Sequence, residues 1–163
     1  MINKKRVLFM IYCLILIWIV LFKLSFSLDD ILALRCKTSV NLIPFHYDVE
    51  TSSHFEEVWL NVLIFVPFGL FSQMLNLGYR QSLLTGFSFS LAMELCQYIL
   101  KIGATDITDI ITNTLGTIVG VVLYILFIRI IKSKKKVDKL LIILLFICLL
   151  IFSVLIILLM IAN

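Results

Sequence analysis

Residues 82–101, SLLTGFSFSLAMELCQYILK, and residues 106–128, DITDIITNTLGTIVGVVLYILFI, decide how the chain is read. Each is about as long as a bilayer-spanning helix requires, ~20 predominantly apolar residues. Each also carries charge where lipid would penalise it: Glu94 and Lys101 in the first run, Asp106 and Asp109 in the second. Helical spacing orders those exceptions. Ser90, Glu94, Gln97 and Lys101 fall on one face of the first helix, and Asp106, Asp109, Asn113, Gly116 and Gly120 on one face of the second. The short connection between the runs predicts an antiparallel hairpin. Pairing Lys101 with Asp106 sets a register that brings Glu94 level with Asn113 and Tyr98 level with Asp109, the first pair ~10 Å below the helix ends at 1.5 Å per residue. Gly116-x-x-x-Gly120, extended by Thr112, is a small-residue stripe that permits close helix approach, and it is expected to support this pairing and bring Asn113 near a carboxylate.

The rest of the chain reads in the same terms. Of 163 residues, 62% are hydrophobic, 15% are charged, and mean hydropathy is +1.14. Soluble globular domains are ~45–50% apolar, so a soluble fold is excluded, and scarce Gly and Pro exclude disordered and collagen-like chains. About a hundred apolar residues supply roughly five spans. The expectation is an all-α integral membrane bundle, one membrane domain over 1–163, with spans near 7–28, 58–77, 82–101, 106–128 and 140–161. The first run follows Lys4-Lys5-Arg6, exceeds a signal-peptide core and lacks a small-x-small site, so it reads as an uncleaved anchor with Lys23 snorkelling outward. The second carries Asn61 and is interrupted by Pro67 and Gly69, which predicts a kink where the Leu63 carbonyl loses its partner. Between them, the polar stretch 29–57 holds an apolar island at Val40–Phe45, read as a hairpin, an interfacial segment or a re-entrant loop. The last run has Ser153 as its only polar side chain and reads as a lipid-facing helix.

Charge placement sets the orientation. With the N-terminus cytoplasmic, ten of the fourteen Lys and Arg lie inside, including Arg80 and the 129–139 cluster, while six carboxylates of the 29–57 loop lie outside. The net charge of +4 therefore reflects membrane anchoring, with 129–139 suited to anionic headgroups, and nucleic acid is not an expected partner. Cys13, Cys36, Cys96 and Cys148 show no metal spacing and read as free thiols. His54-x-x-Glu57 puts two ligand types on one helical face without a third, so no metal and no cofactor is expected. Phosphate loops, nucleophile elbows, zinc-protease motifs and dinucleotide fingerprints are absent.

Four ordered blocks then carry a family resemblance. They are Asn41-Leu-Ile-Pro44-Phe45, Asn61-Val-Leu-Ile-Phe-Val-Pro67-Phe-Gly69, Glu94-x-x-Gln97, and Asp106-x-x-Asp109-x-x-x-Asn113-Thr-Leu-Gly116. Together, over residues 41–120, they resemble the VanZ-like membrane proteins. The resemblance implies a bacterial plasma-membrane location and an association with low-level resistance to the glycopeptide teicoplanin, with no established catalytic mechanism. Gly103 stands where the family usually has Arg, and Thr108 where Asp is common, leaving Lys101 as the nearby cation. Lys does not reproduce a bidentate Arg.

Intramembrane acids by default mark function, so Glu94, Gln97, Asp106, Asp109, Asn113 and Asn61 form the candidate binding cluster. Asn41, Pro44, Phe45, Pro67, Gly69, Gly116 and Gly120 are read as structural. The opposing reading is that the amides only bond neighbouring helices and that Asp106 merely suits a helix N-terminus. The leading functional expectation is a non-enzymatic protein that acts on or shields a lipid-linked cell-wall component, or a glycopeptide, at the outer leaflet. The alternatives are an intramembrane enzyme acting on a lipid headgroup and a small ion-coupled carrier using Glu94 and Asp109.

Overall fold

The computed structural model describes residues 4–22, 39–46, 52–102 and 104–162. In chain order the elements are α1 (Lys4–Phe22), β1 (Ser39–Asn41), α2 (Ser52–Met74), α3 (Tyr79–Leu100), β2 (Ala104–Asp106), α4 (Ile107–Ile131) and α5 (Lys134–Ala162). The architecture is helical, as the apolar runs require. Among the described residues, three helices are long and apolar enough to cross a membrane: His54–Met74, Tyr79–Leu100 and Ile107–Ile131.

Several boundaries differ from expectation. The helix α2 begins at Ser52, so His54 and Glu57 lie in its first turns rather than in a loop, their side chains 3.8 Å apart. Pro67 sits inside a continuous helix. The basic stretch expected as a linker is mostly helical, because α5 starts at Lys134 and only Lys132 and Ser133 separate it from α4. Lys132 turns the chain there with φ 54°. The expected anchor ends its described part at Phe22; residues 23–28, Lys23 and most of the 29–57 connection lie outside the described residues, as does Cys36. Cys13, Cys96 and Cys148 are free thiols.

The chain divides into two compact units, Met1–Val122 and Leu123–Asn163. In the first, α1, α2 and α3 share an aromatic cluster. Phe9 meets Phe68 edge-on at 5.3 Å and Phe71 at 5.6 Å, Phe68 meets Phe89 at 5.4 Å, and Tyr12 lies 5.6 Å from Phe71. Offset and edge-on ring pairs add ~0.5–1.5 kcal/mol each beyond their burial. Near Pro67, the Tyr12 hydroxyl donates to the Ile64 carbonyl. The opposite side of α2 packs directly on the α4 backbone. A Cβ at Gly120 would meet the Val66 carbonyl and come within 3.0 Å of Gly69 Cα, and one at Gly116 would meet the Val62 carbonyl.

That seam corrects the expected role of the glycine stripe. Gly116 and Gly120 face α2, not α3, and the close α3–α4 contact is made instead by Gly86 against the Thr117 side chain. The distribution of polarity fits a lipid solvent. Ser82, Ser90, Glu94, Gln97, Thr112, Asn113 and Thr117 are buried, whereas Leu84, Leu95, Ile99 and Leu115 are exposed. Water would favour the reverse arrangement, whereas helices in lipid associate through small and polar faces. In the second unit, the Tyr124 hydroxyl donates to buried Asp138 at 2.7 Å. The α5 face bearing Val137, Leu141 and Leu145 is buried, and Ile143, Phe146, Leu150 and Ile151 are exposed.

Candidate functional site

The polar residues of the first unit are organised around a short parallel strand pair at the junction of α3 and α4. Residues 39–41 pair with 104–106 in the register Ser39 with Ala104, Val40 with Thr105 and Asn41 with Asp106. The apolar island is thus a strand followed by a turn, and residues 104–106, expected as a tight turn and the first residue of a span, are its partner. Asn41 fixes the turn. Its Oδ1 accepts the Ile43 N–H at 3.1 Å, an Asx turn, and its Nδ2 donates to the His46 carbonyl at 2.8 Å and to Asp106 Oδ2 at 3.2 Å. The Phe45 N–H donates to Thr108 Oγ1 at 3.0 Å. Phe45 itself adopts φ 56°, while Val40, Leu42, Ile43 and Phe45 remain exposed.

Asp106 caps α4. Its Oδ1 accepts the Thr108 N–H at 2.7 Å, supplying a partner for one of the four N–H groups that a helix start leaves open. Its own N–H donates to Glu94 Oε2 at 3.0 Å. Glu94 is 1% exposed, so α3 contributes a buried carboxyl that holds the strand at the start of α4. In the first turn of α4, Asp109 Oδ1 accepts from Asn61 Nδ2 of α2 at 2.7 Å.

The structure brings Asn41, Glu94 and Asp106 together in one hydrogen-bonded chain and ties Asn61 to Asp109. It does not place Asn113 level with Glu94. Asn113 Nδ2 donates to Ser90 Oγ at 2.9 Å, one helical turn deeper, consistent with Gly86 meeting Thr117 a further turn along. The expected register is therefore displaced by a turn. The cause is the α3–α4 connection: Lys101 ends α3 in the left-handed region, φ 54°, and residues 104–106 run extended as a strand, so α4 starts later and closer to Glu94. Gly103 lies outside the described residues.

Gln97 turns instead toward α1, its Nε2 donating to the Val20 carbonyl at 3.0 Å. Two buried side-chain oxygens on these helices, Gln97 Oε1 and Asn113 Oδ1, have no hydrogen-bond partner among the described residues. Among the described residues no three His, Cys, Asp or Glu side chains gather as a metal site. Sequence reasoning missed the strand pair and the acceptor role of Thr108, which is fully buried. Asn41 and Pro44 were the available signals, since Asn forms Asx turns and Pro favours the second position of a β-turn, here 43–46.

The VanZ/LLP1 family model matches residues 9–132, from within α1 through the end of α4. The chain is 40% identical over 136 residues to Protein VanZ of Enterococcus faecium, covering 80% of each sequence. No solved structure matches. With a family match across most of its length and a relative this similar, the chain belongs to the VanZ/LLP1 family.

Proposed function

We propose that the chain is a multi-pass plasma-membrane protein of a bacterium, with five spans and a cytoplasmic N-terminus, that confers low-level teicoplanin resistance. It does so by engaging or shielding a lipid-linked cell-wall component at the outer leaflet. The observation that carries this reading is the hydrogen-bonded chain Asn41–Asp106–Glu94 at the α3–α4 junction, the end of α3 remote from Arg80. With Arg80 on the inner side under the positive-inside rule, that junction faces outward. The exposed residues Val40, Leu42, Ile43 and Phe45 beside it give an apolar edge at the level of the outer headgroups. Anionic headgroups on the inner side meet the exposed Lys134, Lys135 and Lys136.

Expression in a susceptible strain tests the proposal. Teicoplanin tolerance should rise while vancomycin tolerance changes less, and Asn41→Ala at equal protein level should reduce the effect. Unchanged susceptibility to both drugs defeats it. The burial of Glu94 favours one second reading, an ion-coupled carrier using Glu94 and Asp109. Full retention of the phenotype in Glu94→Gln removes that reading.

A further inference from the structure

Beside the strand pair lies a groove of about 450 Å³, lined by Ser39, Val40 and Thr105 from the strands and by Gln97, Ile99 and Lys101 from the end of α3. Its chemistry is mixed in a specific way. Gln97 is 2% exposed and commits its Nε2 to the Val20 carbonyl, leaving Oε1 as a buried acceptor with no partner among the described residues. A buried carbonyl left in that state costs ~1–3 kcal/mol, a cost that a ligand hydroxyl recovers. Lys101 brings an exposed ammonium to the rim. Val40 and Ile99, 53% and 73% exposed, supply the apolar wall.

Position adds the second argument. The 22 residues of α3 extend about 33 Å at 1.5 Å per residue, slightly more than the ~30 Å hydrocarbon core. The Lys101 end of α3 therefore stands at headgroup depth, with Ile99 two residues nearer the hydrocarbon. A ligand that satisfies all three features carries an anionic phosphodiester for Lys101, a hydroxyl donor for Gln97 Oε1, and an acyl chain along Val40 and Ile99.

We propose that this groove is a binding site for the headgroup of a hydroxyl-bearing anionic phospholipid. The assignment rests on the membrane reading above but not on the resistance phenotype, so the two fail separately. Purified full-length protein in neutral detergent is titrated with phosphatidylglycerol, phosphatidylcholine or glycerol phosphate, and bound ligand is counted by native mass spectrometry. The expected result is retention of phosphatidylglycerol about tenfold tighter than phosphatidylcholine, a preference reduced at least several-fold in both Lys101→Gln and Gln97→Met. Lys101 is exposed, so its substitution keeps the test valid if Gln97→Met unfolds. Equal retention of the two lipids overturns the site, as does an unchanged preference in Lys101→Gln. Loss of the preference only in the Lys134→Gln, Lys135→Gln, Lys136→Gln triple variant moves the lipid to the basic helix start and overturns the groove. Equal binding of glycerol phosphate overturns the lipid as its source.

Discussion

Asp106 uses three of its groups at once: its N–H on Glu94, one carboxylate oxygen on the Thr108 N–H, and the other on Asn41. Removing a helix cap costs ~0.5–2 kcal/mol, and the lost Asn41 contact adds ~0.5–1.5 kcal/mol. Asp106→Ala should therefore destabilise the protein by about 2 kcal/mol, read as a lowered thermal midpoint in detergent, and Asp106→Asn should recover part of the loss. Lys101 gives the opposite sign. Its left-handed conformation costs an L-residue ~1–2 kcal/mol that glycine avoids. Lys101→Gly should raise the midpoint while abolishing selective retention of phosphatidylglycerol. At this scale the sequence showed which polar residues share a helical face. It did not show that Asn41 reaches Asp106, because a pairing 65 residues apart leaves no local periodicity in either segment.

Between elements, the α2–α4 seam is built backbone against backbone. Gly69→Ala drives a methyl group into the Thr117 carbonyl, and such overpacking costs ~1–3 kcal/mol or more where no flexible side chain can yield. Gly78→Ala meets only the far end of Gln81 and has φ −63°, so its lower unfolded-state entropy offsets the weaker N-cap and the net change should stay within about 1 kcal/mol. Thermal unfolding of the two variants side by side checks the contrast, and similar losses in both contradict it. The Gly116/Gly120 stripe was legible because spacing is local. Its partner was not, because small residues permit close approach without specifying which helix approaches. The one-turn shift of Asn113 escaped for a related reason: an extended triplet, residues 104–106, replaced an assumed short turn, and every contact farther along α4 moved with it.

Over the whole chain, composition alone identified the solvent, and buried Glu94 and Gln97 opposite exposed Leu84 and Ile99 bear the mark of it. Orientation is testable in a variant with its four cysteines replaced by Ser. A single Cys at Val40 should react with a membrane-impermeant maleimide on intact cells, and one at Lys135 only after permeabilisation. The reverse pattern inverts the topology. The strand pair also has a consequence in time. Ribosomal synthesis delivers β1 long before β2, with α2 and α3 made in between. The first strand therefore has no mate until the hairpin of α3 and α4 is inserted, so pairing closes a large loop late, as contacts of high sequence separation generally do. A nascent chain halted after α3 would expose Asn41 and the residues around it to protease, and protection there would report that insertion is complete.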